Sequence, residues 1–256
     1  MKYLGVELYK PKVAFFDFTG CEGCQLTVLN KENSLVDFLS LVEVVNFREA
    51  ISDRGENYEI AFIEGAITRD DEIARLKKIR LKAKVLVAVG SCACFGGVNQ
   101  LRNQYENNIS WVIEEVYGEH PVETNKRVSA VEDIVPVDLR IYGCPPSKAE
   151  IERIVQAIVL KQKYKYPKYP VCMECKANEN ICLYDIGKIC LGPVTRAGCG
   201  ATCANARRGC FGCRGPAEEP NVDQMKAIMK REGFSKEQIF EKMSIFGGFK
   251  GLKEDS

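Results

Sequence analysis

The most constraining feature of this 256-residue chain is a pattern that occurs four times in its first 146 residues. A short apolar run, typical of a strand buried on both faces, is followed by glycine and by a cysteine or glutamate next to it. The four runs cover residues 13–18, 59–63, 84–89 and 137–142. Helical patterns lie between them, so that strand and helix alternate to about residue 160. This alternation predicts an α/β fold with a parallel sheet.

The cysteines of this pattern are predicted to converge at one edge of the sheet. Cys21 and Cys24 follow the first run, Cys92 follows the third and Cys144 follows the fourth. The carboxyl ends of parallel strands share one rim, and open α/β sheets bind their ligands there. The adjacent glycines would let the backbone approach a bound group closely. Four thiolates at one rim suit either a [4Fe-4S] cluster or a zinc ion.

Composition and charge narrow the cellular setting. The net charge of +1 creates no strong electrostatic field that would attract nucleic acid or a membrane surface. No apolar run approaches the roughly 20 residues that a membrane-spanning helix needs. The N-terminus has neither the apolar region of a signal peptide nor a twin arginine, so we expect a cytoplasmic protein. In that reducing compartment, thirteen cysteines indicate metal binding rather than disulfides. The one histidine, His120, is expected to lie in a surface loop.

The second part of the chain has a different character. Residues 161–170 are basic and rich in tyrosine, which we interpret as an extended linker rather than a nucleic-acid site. Residues 171–216 hold eight cysteines with little periodicity, and we expect bound metal rather than an apolar core to order them. Two short helices, at 222–231 and 235–245, are predicted to close the chain. The tail, residues 247–256, is expected to be frayed or bound to a partner.

The eight late cysteines are enough for two sites with four thiolates each. They are Cys172, Cys175, Cys182, Cys190, Cys199, Cys203, Cys210 and Cys213. Zinc ribbons use the same Cys-x-x-Cys spacing, so a zinc-stabilised scaffold without redox activity is one interpretation. Twelve thiolates in three sets, one of them at the rim of a parallel sheet, favour a chain of iron-sulfur clusters instead.

Together these motifs resemble the small subunit of nickel-iron hydrogenases, especially the cytoplasmic branch that includes sulfhydrogenase delta subunits and the viologen-reducing hydrogenases of methanogens. The matching segments are 20–25, 63–67, 90–97, 143–146, 182–184 and 190–199. The resemblance implies a flavodoxin-like domain at residues 1–163 that holds a proximal [4Fe-4S] cluster on the four rim cysteines. It implies an irregular iron-sulfur domain with short helices at residues 164–256.

The resemblance also implies two further [4Fe-4S] clusters, three in all, in the second domain. The distal cluster would lie on Cys172, Cys175, Cys182 and Cys190, and the medial cluster on Cys199, Cys203, Cys210 and Cys213. Electrons would pass between the nickel-iron centre of a large subunit and a further flavin or iron-sulfur subunit. The chain itself would carry no nickel and no catalytic residue.

Three cysteines qualify the resemblance. Cys172 stands where the periplasmic branch has a histidine ligand, and Cys203 stands where that branch often has a proline and a three-iron cluster. Cys94 has no place in the twelve-ligand scheme, and we interpret it as a small buried side chain. The related quinone-reductase subunit of complex I is a further alternative. It carries adjacent cysteines at the first motif and lacks the eight late ones.

Glu22, Glu64 and Arg196 are candidates for residues that act beside the clusters. Glu22 and Glu64 are expected at the rim, where each either hydrogen-bonds near the cluster, helps to move protons, or is a solvated or interface-paired carboxylate. Arg196 lies between two cysteine sets in the sequence. It either donates hydrogen bonds to cluster sulfurs or pairs with a nearby acid.

Overall fold

The computed structural model describes residues 2–3, 6–7, 9–30, 40–118, 123–125 and 127–249. The described strands are β1 (Lys2–Tyr3), β2 (Val6–Glu7), β3 (Lys12–Asp17), β4 (Glu43–Phe47), β5 (Ile60–Glu64), β6 (Val85–Val89) and β7 (Leu139–Ile141). The described helices are α1 (Gly23–Leu29), α2 (Asp70–Lys82), α3 (Gly90–Phe95), α4 (Ile109–Tyr117), α5 (Lys148–Val159), α6 (Val171–Ala177), α7 (Thr202–Asn205), α8 (Val222–Arg231) and α9 (Lys236–Ser244). Short 3-10 segments lie at Val98–Asn108, Val131–Asp133 and Tyr184–Ile186.

The first half is built on a parallel sheet, as predicted. Its strand order is β4-β3-β5-β6-β7, and each neighbouring pair runs parallel. The strands begin and end within one or two residues of the predicted runs, and β7 has three residues of a predicted six. The α/β expectation is therefore confirmed, and the carboxyl ends of β3, β5, β6 and β7 share one rim.

The sheet carries an apolar layer on each face, which explains why its strands read as continuous apolar runs. Ala61, Ile63 and Leu86 pack on one face, where Leu76 of α2 covers them. The residues that alternate with these along the strands, such as Phe62, pack on the other face with α5. Side chains alternate between faces along a strand, so both layers come from the same short segments.

Some predictions for this half differ from the structure or lie outside it. The predicted helix from residue 25 to residue 41 is observed as α1, which ends at Leu29, and residues 31–39 lie outside the described residues. His120 and residues 250–256 of the predicted tail lie outside them as well. The linker at 161–170 is extended but packed against the sheet. The Tyr166 hydroxyl accepts from the Arg140 amide at 2.9 Å and donates to the Arg140 carbonyl at 2.8 Å, so that it serves as a partner for edge strand β7.

The second half buries more apolar surface than the sequence suggested. Leu191, Met225 and Met229 are almost fully buried in a third apolar cluster. The reason is that α8 and α9, which sequence analysis treated as separate closing helices, lie over the cysteine-rich segment. Helix α9 begins with the predicted capping box, in which the Gln238 amide donates to the Ser235 hydroxyl at 3.2 Å.

A buried ion pair joins the cysteine-rich segment to the sheet half. Arg214 is 1% exposed and Glu150, on α5, is 0% exposed. The guanidinium donates to the two carboxylate oxygens at 2.6 and 2.8 Å, and also to the Tyr142 carbonyl at 2.6 Å. The two halves are thus in direct contact. The domain boundary between residues 163 and 164 stays a prediction.

Candidate functional site

The structure brings the four rim cysteines together. Cys21 lies in the loop before α1, Cys24 lies in its first turn, Cys92 lies on α3 after β6, and Cys144 follows β7. Burial, followed by the neighbouring Cys144 and Cys21 thiols, raises the pKa of Cys92 to about 12. Burial also raises the pKa of Cys24, with smaller contributions from Glu64, Cys92 and Cys144. The four thiols therefore share one electrostatic environment, from three loops of one rim.

Two glycines make room for the thiols at this rim. A Cβ on Gly90 would stand 2.4 Å from the Cys24 sulfur, and a Cβ on Gly97 would stand 2.5 Å from the Cys92 sulfur. Both glycines have positive φ, +82° and +60°, which side-chain-bearing residues rarely adopt. The backbone thus packs directly on the thiols, whereas the approach of the backbone to a bound group stays a prediction.

Glu64 is a buried anchor for the first cysteine loop. It ends β5, is 4% exposed, and its two carboxylate oxygens accept from the backbone amides of Cys24 and Gln25 at 3.0 and 2.9 Å. These amides belong to the first turn of α1, whose N–H groups have no partner within the helix. Glu64 therefore fixes the orientation of Cys24 through the backbone.

Glu22 lies at the outer side of the rim. Its carboxylate pairs with Arg48, which also contacts Asp17 at 3.0 Å. Burial and the neighbouring Glu49 raise the pKa of Glu22, while Arg48 lowers it. This arrangement is that of a paired surface carboxylate, one of the interpretations given above.

Cys94 lies away from the rim. Its side chain is in the core between the sheet and α3, with its sulfur 3.7 Å from the Ala88 carbonyl and 3.9 Å from the Ile141 carbonyl. Burial raises the pKa of its thiol, so it is a neutral core side chain. Its position agrees with the interpretation of Cys94 as a small buried residue.

The first four late cysteines also come together, and we call them the outer set: Cys172, Cys175, Cys182 and Cys190. Burial, followed by the thiols of Cys190, Cys175 and Cys182, raises the pKa of Cys172 to about 12. A Cβ on Gly192 would stand 3.3 Å from the sulfurs of both Cys172 and Cys190. The backbone therefore lies close to these thiols as well, although less close than the 2.4 and 2.5 Å at the rim.

The last four cysteines form a second group, and we call them the inner set: Cys199, Cys203, Cys210 and Cys213. Burial raises the pKa of Cys213 to about 12, and the thiols of Cys199 and Cys203 contribute to the increase. The thiol of Cys210 interacts with those of Cys190 and Cys213. One cavity is lined by all four inner cysteines and by three outer ones, so the two sets adjoin each other.

The separation of the thiols bears on the choice between zinc and iron-sulfur clusters. Among the described residues, no three Cys, His, Asp or Glu side chains lie close enough to hold a single metal ion. A tetrahedral zinc site, with Zn–S bonds of about 2.3 Å, needs its thiolates within roughly 4 Å of one another. A cluster of four irons and four sulfides spreads its thiolate ligands more widely. The donor chemistry of all three sets, four cysteine thiols each, fits such a cluster.

Arg196 and two residues that sequence analysis missed complete the late half. The Arg196 guanidinium lies 4.9 Å from the centre of the Tyr142 ring, and its buried Nε has no hydrogen-bond partner among the described residues. Arg214 follows Cys213 directly and is held by Glu150. Glu174, on α6, accepts from the Gly198 amide at 2.8 Å and lies 3.9 Å from the Cys199 sulfur. No periodic signal marks Arg214 or Glu174 in the sequence, because their partners are distant in the chain.

Comparisons with known proteins show the family to which this chain belongs. Residues 21–158 match the family described as NADH ubiquinone oxidoreductase, 20 Kd subunit. Sulfhydrogenase 2 subunit delta of Pyrococcus furiosus is 34% identical over 238 residues, which cover 92% of this chain and 98% of the relative. A subunit of the F420-non-reducing hydrogenase vhu of Methanocaldococcus jannaschii is 31% identical over 239 residues, 81% and 83% of the two chains. The chain therefore belongs to this family, and its assignment as a subunit of a hydrogenase, an oxidoreductase, is confirmed.

Solved structures support the same fold. A chain of an NAD+-reducing [NiFe]-hydrogenase matches with a TM-score of 0.54 and 25% identity, covering 62% of this chain and 96% of that one. A chain of the Dm. baculatum [NiFeSe]-hydrogenase matches with a TM-score of 0.59 at 15% identity, covering 93% and 99%. The second match extends the shared fold over the late half. Within the described part of the chain, no helix is long and apolar enough to span a bilayer.

Proposed function

We propose that this chain is the electron-transfer small subunit of a cytoplasmic nickel-iron hydrogenase and that it holds three [4Fe-4S] clusters. The observation that carries the proposal is the grouping of twelve thiols into three interacting sets of four, in which the inner set adjoins both others. A series of adjacent redox sites is what an electron relay requires, whereas a structural zinc protein has no need for sites in series.

The rim cysteines would hold the proximal cluster, the inner set the medial cluster and the outer set the distal cluster. Each cluster, when bound, would accept and release one electron at a time. The chain supplies the thiolates, keeps water away and donates hydrogen bonds to sulfur, which tune reduction potentials. Burial makes free thiolates unfavourable at these sites, and the positive charge of iron would offset that penalty.

The partners in this proposal follow from which cysteines are exposed. Cys21 and Cys144 are exposed at the rim, and α1, which follows Cys21, carries the exposed side chain of Leu26. A large subunit that carries a nickel-iron centre would cover this side. At the other end, exposed Met173 and Ile181 lie beside the outer set, where a flavin or iron-sulfur subunit would accept electrons.

Metal analysis of the complex purified without oxygen tests the proposal directly. We expect about twelve irons per chain, four for each of three clusters, and little zinc. Paramagnetic resonance of the reduced protein should then show signals from interacting four-iron clusters. Iron near four per chain would restrict the assignment to one site. Stoichiometric zinc in a colourless protein would instead identify a zinc-stabilised scaffold.

A further inference from the structure

The rim and the inner set are joined by hydrogen bonds that meet at Cys213. Ser91 is 1% exposed, and its hydroxyl donates to the Cys213 carbonyl at 2.5 Å. The Ser91 amide donates to the Gly143 carbonyl at 2.9 Å. The Cys144 amide in turn acts as a hydrogen-bond donor to the Cys213 thiol and favours its thiolate. Two rim loops, those of Cys92 and Cys144, therefore both contact a single residue of the inner set.

The junction between the inner and outer sets has the same form. The amide of Cys210, an inner-set residue, donates to the Cys190 sulfur at 3.2 Å, and the Leu191 amide donates to the Cys210 carbonyl at 3.0 Å. At each junction, then, the backbone amide of a cysteine in one set points at the sulfur of a cysteine in the next. The direct contacts run from rim to inner set and from inner to outer set.

We infer that an electron enters the inner set through Cys213 and the outer set through Cys190, and that Ser91 is the positioning residue that couples the rim to Cys213. The inference rests on the proposed function. Tunnelling falls off less steeply through covalent and hydrogen bonds than across a van der Waals gap, so the contacts at Cys213 provide a bonded route between the rim and the inner set. In the step, the rim site loses one electron and the inner site gains it. Ser91 keeps its proton, because its hydroxyl donates to a carbonyl.

Another hydroxyl of the inner set provides a matched control. Thr202 also donates its hydroxyl to a cysteine carbonyl, that of Cys199, at 2.7 Å. Its bond closes a local turn on the exposed side of the inner set, and in the described part of the chain its hydroxyl has no recorded hydrogen bond to a rim residue. Ser91→Ala and Thr202→Ala thus remove the same chemical interaction, one at the junction and one away from it.

The test uses the complete hydrogenase complex, reduced with hydrogen and frozen at successive times, with paramagnetic resonance to follow each cluster. We expect Ser91→Ala to slow reduction of the inner site several-fold after the rim site is reduced, while iron content and equilibrium potentials stay unchanged. Thr202→Ala should keep the wild-type rate. Ser91→Thr, which retains a hydroxyl, should be faster than Ser91→Ala.

Three results would overturn the inference: an unchanged rate in Ser91→Ala, equal slowing in Ser91→Ala and Thr202→Ala, or loss of iron in Ser91→Ala, which would make Ser91 a structural residue. Failure of the proposed function would look different, since the wild-type protein would then lack the three clusters. A wild-type protein with all three clusters and an insensitive Ser91→Ala variant would contradict only the route through Cys213.

Discussion

The two halves of the molecule hold their thiols in different ways. In the sheet half, the rim cysteines follow strands whose residues, such as Ala14 on β3 and Leu86 on β6, are completely buried between two helical layers. In the late half, short helices and loops surround the thiols, and the apolar cluster around Leu191 depends on α8 and α9. We therefore expect the sheet half to fold without metal, and the late half to depend on bound metal as well as on its apolar cluster.

The two halves also differ in backbone strain, measured as the number of non-glycine residues with positive φ. Among the described residues of segment 171–216, Glu179, Ala201 and Arg207 have positive φ without being glycine, and in the rim loops only Glu22 does. Each such residue costs about 1–3 kcal/mol and persists only where the surroundings enforce it. A segment with this much strain and few regular elements needs additional stabilisation, which bound clusters would supply.

Removal of iron should produce the largest difference in behaviour between the two halves. We expect that chelation under reducing conditions greatly increases amide hydrogen exchange across residues 171–216, because metal binding there contributes folding free energy. Strands β5 and β6 should stay protected, since their core does not involve the metal sites. Mass spectrometry of exchanged peptides before and after chelation measures this. Equal deprotection of both halves would contradict the comparison.

Breaking the ion pair between the halves should have the next largest effect. Arg214→Met leaves the Glu150 carboxylate buried without its cation, and we expect a loss of about 3–5 kcal/mol in the free energy of unfolding. Urea unfolding of the iron-loaded protein measures it. The exposed pair of Arg231 with Glu232 provides the control, because Arg231→Met should cost no more than about 1 kcal/mol. Restoring much of the loss by adding Glu150→Leu would confirm that the unpaired charge is responsible.

A glycine substitution should affect the rim alone. The Cβ of Gly90→Ala would overlap the Cys24 sulfur, so we expect about four of the twelve irons to be lost while the late clusters remain. Gly118→Ala is the control, because Gly118 also has positive φ, +64°, but has no atom within 4 Å of an added Cβ. Iron analysis of both variants decides the matter. A full complement of iron in Gly90→Ala would contradict the inference that the rim needs a glycine at position 90 to make room for the Cys24 sulfur.

The smallest effect is expected at the surface of the linker. Lys168 is 81% exposed and pairs with Glu218 at 3.0 Å. Such pairs are worth about 0–1 kcal/mol, so Lys168→Ala should shift the urea midpoint very little. A loss comparable to that of Arg214→Met would mean that the linker, rather than the buried pair, holds the halves together.

The sequence predicted that the rim cysteines lie together because this arrangement depends only on short segments of the chain. Each strand is a short apolar run, each run ends at glycine, and parallel strands necessarily bring Cys21, Cys92 and Cys144 to one edge. The capping box at Ser235 was equally readable, since its partner Gln238 is three residues away. In both cases the positions of the residues along the chain are enough to predict which side chains meet in space.

The contacts that join the halves could not be predicted in this way. Arg214 and Glu150 are 64 residues apart, and Ser91 and Cys213 are 122 apart. No periodicity connects such pairs, and a single sequence gives no sign of which acid neutralises which base. The apolar cluster of the late half was underestimated for the same reason, because α8 and α9 lie outside the cysteine-rich segment that they cover.

The Arg214–Glu150 pair also limits how such a protein can change in evolution. A chain shortened to its sheet half would keep Glu150 on α5 and lose the guanidinium that neutralises it. Deletion of the late segment would also remove atoms that cover this carboxylate, since a Cβ on Gly198 would stand 3.3 Å from its Oε1. Water could then solvate Glu150, so an acid at this position is compatible with a shorter chain. While the late segment is present, however, a neutral residue at position 150 would leave the Arg214 guanidinium buried without its partner. The acid and the base are therefore coupled to each other, and substitution of one favours substitution of the other.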